Sequence, residues 1–303
     1  MLEMMNDKKN SSLNIGTKIK DYLQLIKMSL SIMVVFSCVI CFLLTPDLNT
    51  KYESPLQMAL LLAIGGLLVT GSANAINQVV EKGTDAVMKR TASRPVAAGR
   101  MSALEGWIFA FITGLAGIFI LAYFFNNLAA SLAAFGLFLY AFIYTPLKKV
   151  NAIAVLVGAF PGALPCLIGW AAGNNALTIG GWALFALQFL WQFPHFWAIA
   201  WIAHQDYTMA GFRLLPSQQG PTKFTALQTV VYSLLLIPIG MIPYFIGMSG
   251  WISLIVVAVA NFFMIVQCVR LYRNMDIKSA RRVMFGSYIY LAVVLLVLLG
   301  DKV

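Results

Sequence analysis

Asn77, Glu81 and Asp85 stand four residues apart in the run "NQVVEKGTDAVMKRTASRPVAAGR", and Lys89, Arg90, Arg94 and Arg100 follow them. On a helix, steps of four drift by only about 40° and rise about 6 Å, so these oxygen-bearing side chains line one face. Thr70 and Asn74 extend the stripe. Oxygen ligands so spaced suit Mg²⁺, which keeps several waters and is shared between one or two carboxylates and substrate phosphates. Arg forks bind phosphate oxygens in pairs, and Lys adds a mobile point charge. Ordered acids followed by clustered bases therefore describe a cradle for a metal diphosphate. In it Asn77, Glu81 and Asp85 take the metal, while Lys89, Arg90 and Arg94 take the phosphates. The plainer reading is a wet helix end at which Glu81 and Asp85 pair with Lys82 or Lys89.

A second constellation, "QFLWQFPHFWAIAWIAHQDYTMAGFRLLP" (188–216), holds both histidines of the chain, His195 and His204. Gln188, Gln192, His195 and Asp206 share one helical face if the helix runs on past Pro194, whose missing N–H can kink it. A lone intramembrane His is ordinarily a packing residue. With Gln192, Phe193, Phe196 and Trp197 beside it, His195 instead suits the wall of a pocket for a large flat aromatic ligand. Asp206 opens a polar loop and is a candidate second metal anchor. In a third stretch, "YTPLKKVN", Tyr144 and Lys148 offer a further approach to a diphosphate, although Lys148 reads almost equally well as a topological charge. Gly158 and Gly162 read as places where helices approach closely.

These residues sit in a very apolar chain. Of 303 residues, 60% are hydrophobic and 11% charged, and the mean hydropathy is +0.83, far from an ordinary soluble domain. Apolar runs of about 20 residues, each able to cross a hydrocarbon core about 30 Å thick, recur along the sequence. They predict an all-α, polytopic membrane bundle of nine transmembrane helices around a central cavity. The spans are 28–46, 57–80, 104–125, 127–146, 151–173, 178–203, 225–247, 250–270 and 283–300. With residues 1–27 as a cytoplasmic tail and 28–303 as the transmembrane domain, 19 of the 21 Lys and Arg fall in inner segments and only Lys51 and Lys302 outside. The net charge of +10 is thus largely topological and gives no reason to invoke nucleic acid. Cys38, Cys41, Cys166 and Cys268 all fall within spans and read as small apolar side chains. The long, chemically varied loops follow spans two and six, so function is expected at the inner, cytoplasmic face of a cell-membrane protein.

The combined motifs resemble the protohaem IX farnesyltransferase branch of the intramembrane prenyltransferase superfamily. They are Asn77-x-x-x-Glu81-x-x-x-Asp85-x-x-Met88-Lys89-Arg90-Thr91-x-x-Arg94-Pro95, Tyr144-Thr145-x-x-Lys148, Pro194-His195-Phe196-Trp197, Asp206-Tyr207-x-x-Ala210-Gly211 and Leu215-Pro216. The likeness spans nearly the whole chain. It implies haem B and farnesyl diphosphate as substrates, haem O and diphosphate as products, Mg²⁺ as cofactor, the lipid bilayer as surroundings and haem A synthase as a candidate partner. It also implies Asn77, Glu81, Asp85 and Asp206 as metal ligands, with Lys89, Arg90, Arg94, Tyr144 and Lys148 at the diphosphate and His195, Phe196 and Trp197 at haem. The chain departs from the wider superfamily in carrying Glu81 where many members have Asp, and a single Asp206 where others have paired aspartates. Two rivals remain at this stage. A quinone-type prenyltransferase would share the cradle but take a benzoate or naphthoate ring, and a transporter would use the polar residues as a path.

Overall fold

The computed structural model describes residues 15–46, 48, 54–217 and 219–303. The first 14 residues of the expected tail, and Lys51, lie outside them. The molecule is an all-helical bundle: α1 (Ile15–Leu25), α2 (Met28–Leu43), α3 (Pro55–Val80), α4 (Lys82–Val87), α5 (Ala103–Phe124) and α6 (Asn127–Phe138) come first. After α6 a π-helical turn, Leu139–Tyr144, leads into Thr145–Leu147. The chain then forms α7 (Ile153–Asn174), α8 (Ile179–Ile202), α9 (His204–Met209), α10 (Lys223–Phe245), α11 (Trp251–Asn274) and α12 (Ile277–Gly300).

Among the described residues, seven helices are long and apolar enough to cross a membrane, and eight when α1 and α2, bent by 51° at their junction, count as one span. The remaining expected span, 178–203, is the 24-residue helix α8, which falls outside that group. Gln188, Gln192, Pro194 and His195 dilute its hydropathy, and most of its residues are buried against other helices instead of facing lipid. α8 carries polar side chains into the interior of the bundle. The large apolar residues that remain exposed, among them Leu60, Ile64, Phe111, Leu115, Phe119, Ile255, Val259 and Phe262, form the outer surface that a bilayer solvates.

The helices close into two groups. In the first, α2 packs on α3, α3 on α5, α5 on α6, α6 on α7, and α7 returns to α2. In the second, α8 packs on α10, α10 on α11, α11 on α12, and α12 returns to α8. The α7–α8 pair joins the groups, and α12 also meets α2. Small residues set the closest approaches: a Cβ at Gly169 would strike the backbone of α2 at Cys38, so only glycine allows α7 and α2 this contact.

The break between α1 and α2 is the irregularity that matters most for the site. Lys27 is left-handed there (φ 48°, ψ 57°), a conformation that costs an L-residue about 1–2 kcal/mol. The break frees carbonyls that must find donors at membrane depth. Gln78 Nε2 donates to Gln24 O and Leu25 O, both at 2.9 Å, Asn74 Nδ2 donates to Ile26 O at 3.1 Å, and Ser31 Oγ donates to Ile26 O at 2.7 Å. The polar residues of α3 next to the acidic file thus hold α1 and α2 at an angle that turns Lys27 toward Asn77.

Candidate active site at one end of the bundle

α3 and the turn after it bring the three oxygen-bearing side chains one turn apart. Asn77 lies in the last full turn of α3, Glu81 caps it, and Asp85 follows in α4, with backbone bonds Glu81 N to Asn77 O and Asp85 N to Glu81 O at 2.9 and 2.7 Å. All three are buried, with relative exposures of 1%, 6% and 0%. Charges buried to this degree require partners, and each residue of the file has one. Lys27 Nζ donates to Asn77 Oδ1 at 2.9 Å, and Lys148 Nζ to Glu81 Oε1 at 2.9 Å. The Arg94 guanidinium reaches both Asp85 oxygens, at 2.7 and 2.8 Å. Lys27 stands within electrostatic reach of Arg94, Lys148, Glu81 and Asp85. The wet-helix-end alternative is therefore not what forms: the partners are Lys148 and Arg94, from 67 and 9 residues away, and not Lys82 or Lys89.

Lys148 is the meeting point. The π-helical turn swings Tyr144 beneath its ammonium, 4.6 Å from the ring centroid, and Phe212 lies 5.8 Å away on the other loop, so rings as well as Glu81 hold the charge. The Lys148 carbonyl accepts from Arg213 N at 3.0 Å. Gly158 leaves room for Tyr144, since a Cβ there would sit 2.5 Å from the ring. The two polar loops also touch directly. Met88 packs with Ala210 and Phe212, and Arg90 donates to Tyr207 Oη at 2.8 Å with its guanidinium 5.2 Å from the ring centroid.

Other expected residues fall elsewhere. Lys89 is exposed. Asp206 sits on α9, partly exposed, and makes no side-chain hydrogen bond or ion pair among the described residues. The helical face proposed to join it to His195 is interrupted at Ala203 (φ −96°, ψ 18°), although α8 does run through Pro194. Gln188 and Gln192 turn to α7, donating to Gly162 O and Ala159 O at 3.1 Å each. His195 turns to α12, with Nδ1 2.8 Å from Ser287 Oγ, its ring stacked at 5.0 Å on Trp191 and edge-on at 4.7 Å to Tyr288. Trp197 is buried against Phe193 and Tyr232 in a separate aromatic cluster, with the partly buried Phe196 beside it. Sequence reasoning gave no role at the site to Lys27, Tyr207 or Ser287. A basic residue at the head of a span carries no signal that separates it from a topological charge.

No group of three His, Cys, Asp or Glu side chains gathers in a metal-binding cluster among the described residues. The site therefore supplies no complete protein cage. It supplies two buried carboxylates and an amide whose Nδ2 is buried with no hydrogen-bond partner. That sparse set of hard oxygens fits Mg²⁺, which needs few protein ligands when phosphates complete its shell, and the spare amide donor suits a phosphate oxygen or a metal-bound water.

Residues 30–293 match the UbiA prenyltransferase family. The chain belongs to this family. Among curated relatives, the protoheme IX farnesyltransferase of Cytophaga hutchinsonii is 40% identical over 288 residues, covering 95% of this chain and 99% of its own. That of Flavobacterium johnsoniae is 39% identical over 303 residues, covering 98% and 99%. A solved structure of digeranylgeranylglyceryl phosphate synthase shares the fold with a TM-score of 0.76 at 21% identity, covering 94% of this chain and 98% of that one. A UbiA homologue from Archaeoglobus fulgidus, bound to DMAPP and Mg²⁺, has a TM-score of 0.68 at 15% identity, covering 90% and 99%. This UbiA-family chain is accordingly a multi-pass membrane prenyltransferase.

Proposed function

We propose that the chain transfers the farnesyl group of farnesyl diphosphate to a vinyl group of haem B, with addition of water, giving haem O and diphosphate. The carrying observation is the file Asn77–Glu81–Asp85, buried at one end of the bundle with Lys27, Lys148 and Arg94 each already in contact with one member. When a metal diphosphate binds, the acids would turn to the metal and the cations to phosphate oxygens, so that each buried charge would keep a partner. Farnesyl diphosphate is an allylic electrophile, and its C1–O bond breaks once charge developing on the diphosphate is met by preorganised cations. Mg²⁺, when bound, would neutralise part of that charge. Glu81, Asp85 and Asn77 would hold it; Lys27, Arg94 and Lys148 would hold the phosphates, and Arg90, tied to Tyr207, would close over them.

The terminal vinyl carbon of haem then bonds to farnesyl C1, and the cation left on the inner vinyl carbon takes hydroxide from water, whose proton leaves. Stray water at the first stage would quench the farnesyl cation, which the aromatic lining of α8 and the surrounding lipid exclude. His195 orients haem. The acceptor assignment rests on the farnesyltransferase relatives, similar over nearly the full length, and on His195 among the aromatic rings of that lining. In this reading the site faces the cytoplasmic side of the cell membrane, which the basic residues of the loops at this end support. The deciding assay gives purified protein farnesyl diphosphate and Mg²⁺ with haem B in one tube and 4-hydroxybenzoate in another, read by mass spectrometry. A hydroxyethylfarnesyl haem in the first tube alone supports the proposal; a prenylated benzoate alone transfers the chain to quinone chemistry.

A further inference from the structure

Ser287 has a role that the metal-diphosphate chemistry does not use. It is fully buried on α12, and its hydroxyl donates to Met284 O one turn back, at 2.6 Å. A hydroxyl carries one proton and two lone pairs, and at 2.6 Å that proton lies between the two oxygens. The oxygen is thereby left only as an acceptor. His195 Nδ1 approaches the same oxygen at 2.8 Å, so Nδ1 must carry a proton; a lone pair there would face a lone pair. A neutral imidazole protonated at Nδ1 has its lone pair on Nε2.

The neighbours keep the ring at one angle. Trp191 stacks on it with planes 15° apart and is itself pinned by its Nε1–H donating to Ser287 O at 2.7 Å, while Tyr288 meets its face edge-on. The imidazole and its stacking partner Trp191 are thus fastened to one residue of α12, the first through its hydroxyl and the second through its carbonyl. Among the described residues the ring's side-chain hydrogen bond is made through Nδ1, which leaves Nε2 as the nitrogen that a ligand would use.

We propose that Ser287 is a positioning residue for the transfer reaction: by accepting a hydrogen bond from Nδ1–H of His195 it holds the imidazole in the tautomer that offers the Nε2 lone pair to the haem substrate. The inference rests on the haem reading above for its ligand and not for its tautomer. An outer partner of this kind fixes ring orientation and raises the basicity of the ligating nitrogen, and its loss typically costs about 10- to 100-fold in metal affinity or activity.

Nitrogen NMR of protein labelled at histidine reads the tautomer without any substrate. The chain has two histidines, and a His204→Gln sample assigns the signals. The expected spectrum shows His195 protonated at Nδ1 with a bare Nε2; protonation at Nε2 in the unaltered protein overturns the proposal. Ser287→Ala should mix the tautomers, weaken haem binding about 10-fold or more and change the haem absorption band, with the KM for farnesyl diphosphate unmoved. Ser287→Thr, which restores the hydroxyl, should recover both signals. A Ser287→Ala protein with unchanged tautomer and unchanged haem band also overturns it. Should the tautomer stand while the protein binds no haem, the haem reading has failed and not the role of Ser287 in setting the tautomer.

Discussion

At the scale of single residues, the Lys148–Glu81 pair separates structural from chemical contributions. Removing one partner of a buried pair leaves an uncompensated charge, a loss of about 3–5 kcal/mol. Lys148→Met should therefore lower the unfolding midpoint in detergent and also weaken farnesyl diphosphate. The double variant Lys148→Met/Glu81→Gln should regain much of the stability without regaining turnover. If both proteins unfold alike, Glu81 is not the strained group; if the double variant turns over normally, neither residue serves the diphosphate. Asp85→Asn is the sharper test of the metal. It keeps the size of the side chain beside Arg94, so the protein should fold while turnover and its Mg²⁺ dependence disappear.

At the scale of elements, the site depends on two irregular turns, the break at Lys27 and the π-helical turn before Thr145. Gly158→Ala should push Tyr144 from beneath Lys148, costing about 1–3 kcal/mol through overpacking and raising the KM for farnesyl diphosphate more than that for haem. Equal changes in the two KM values would mean that Tyr144 does not support Lys148. Lys27→Gly relieves the left-handed strain but removes the ammonium, so unfolding should shift little or upward while turnover falls. The spans and the acidic file were legible in the sequence because both follow simple periods: apolar runs long enough for a bilayer, and side chains four residues apart on one helix face. The helix ends agree within about two residues at most boundaries, whereas α12 begins at Ile277, six residues before the expected 283, because Asp276 caps it by accepting from Ser279 N at 2.7 Å and the basic residues that follow are helical. The long-range hydrogen-bond partners of Asn77 and His195 were not legible. Lys27 meets Asn77 across 50 residues, and Ser287 meets His195 across 92. Such pairings come from how helices pack, which no local pattern carries. Trp197 shows the converse: adjacency to His195 suggested a shared ligand, but two helix steps turn a side chain about 200°, and it faces a different cluster.

At the scale of the whole molecule, the two groups of helices each contribute one polar loop, and the loops meet through Met88, Phe212 and the Arg90–Tyr207 contact. The cations around the file, Lys27, Lys148 and Arg94, outnumber its two carboxylates, which makes this end of the bundle attractive to a multiply charged anion. Exposed charges are screened over about 10 Å at 0.1 M salt, so the KM for farnesyl diphosphate should rise with ionic strength while that for haem B changes less. A KM indifferent to salt would show that the basic loops do not steer the substrate. The central claim is that buried carboxylates at this end hold the divalent cation that helps to detach diphosphate. Its most direct test is to measure diphosphate release by purified protein, with haem B and farnesyl diphosphate present, across a Mg²⁺ titration that begins in chelator. The account predicts no release without the metal, saturable recovery with it, and no recovery in Asp85→Asn; release at full rate in chelator, or an unaltered titration in Asp85→Asn, would contradict it.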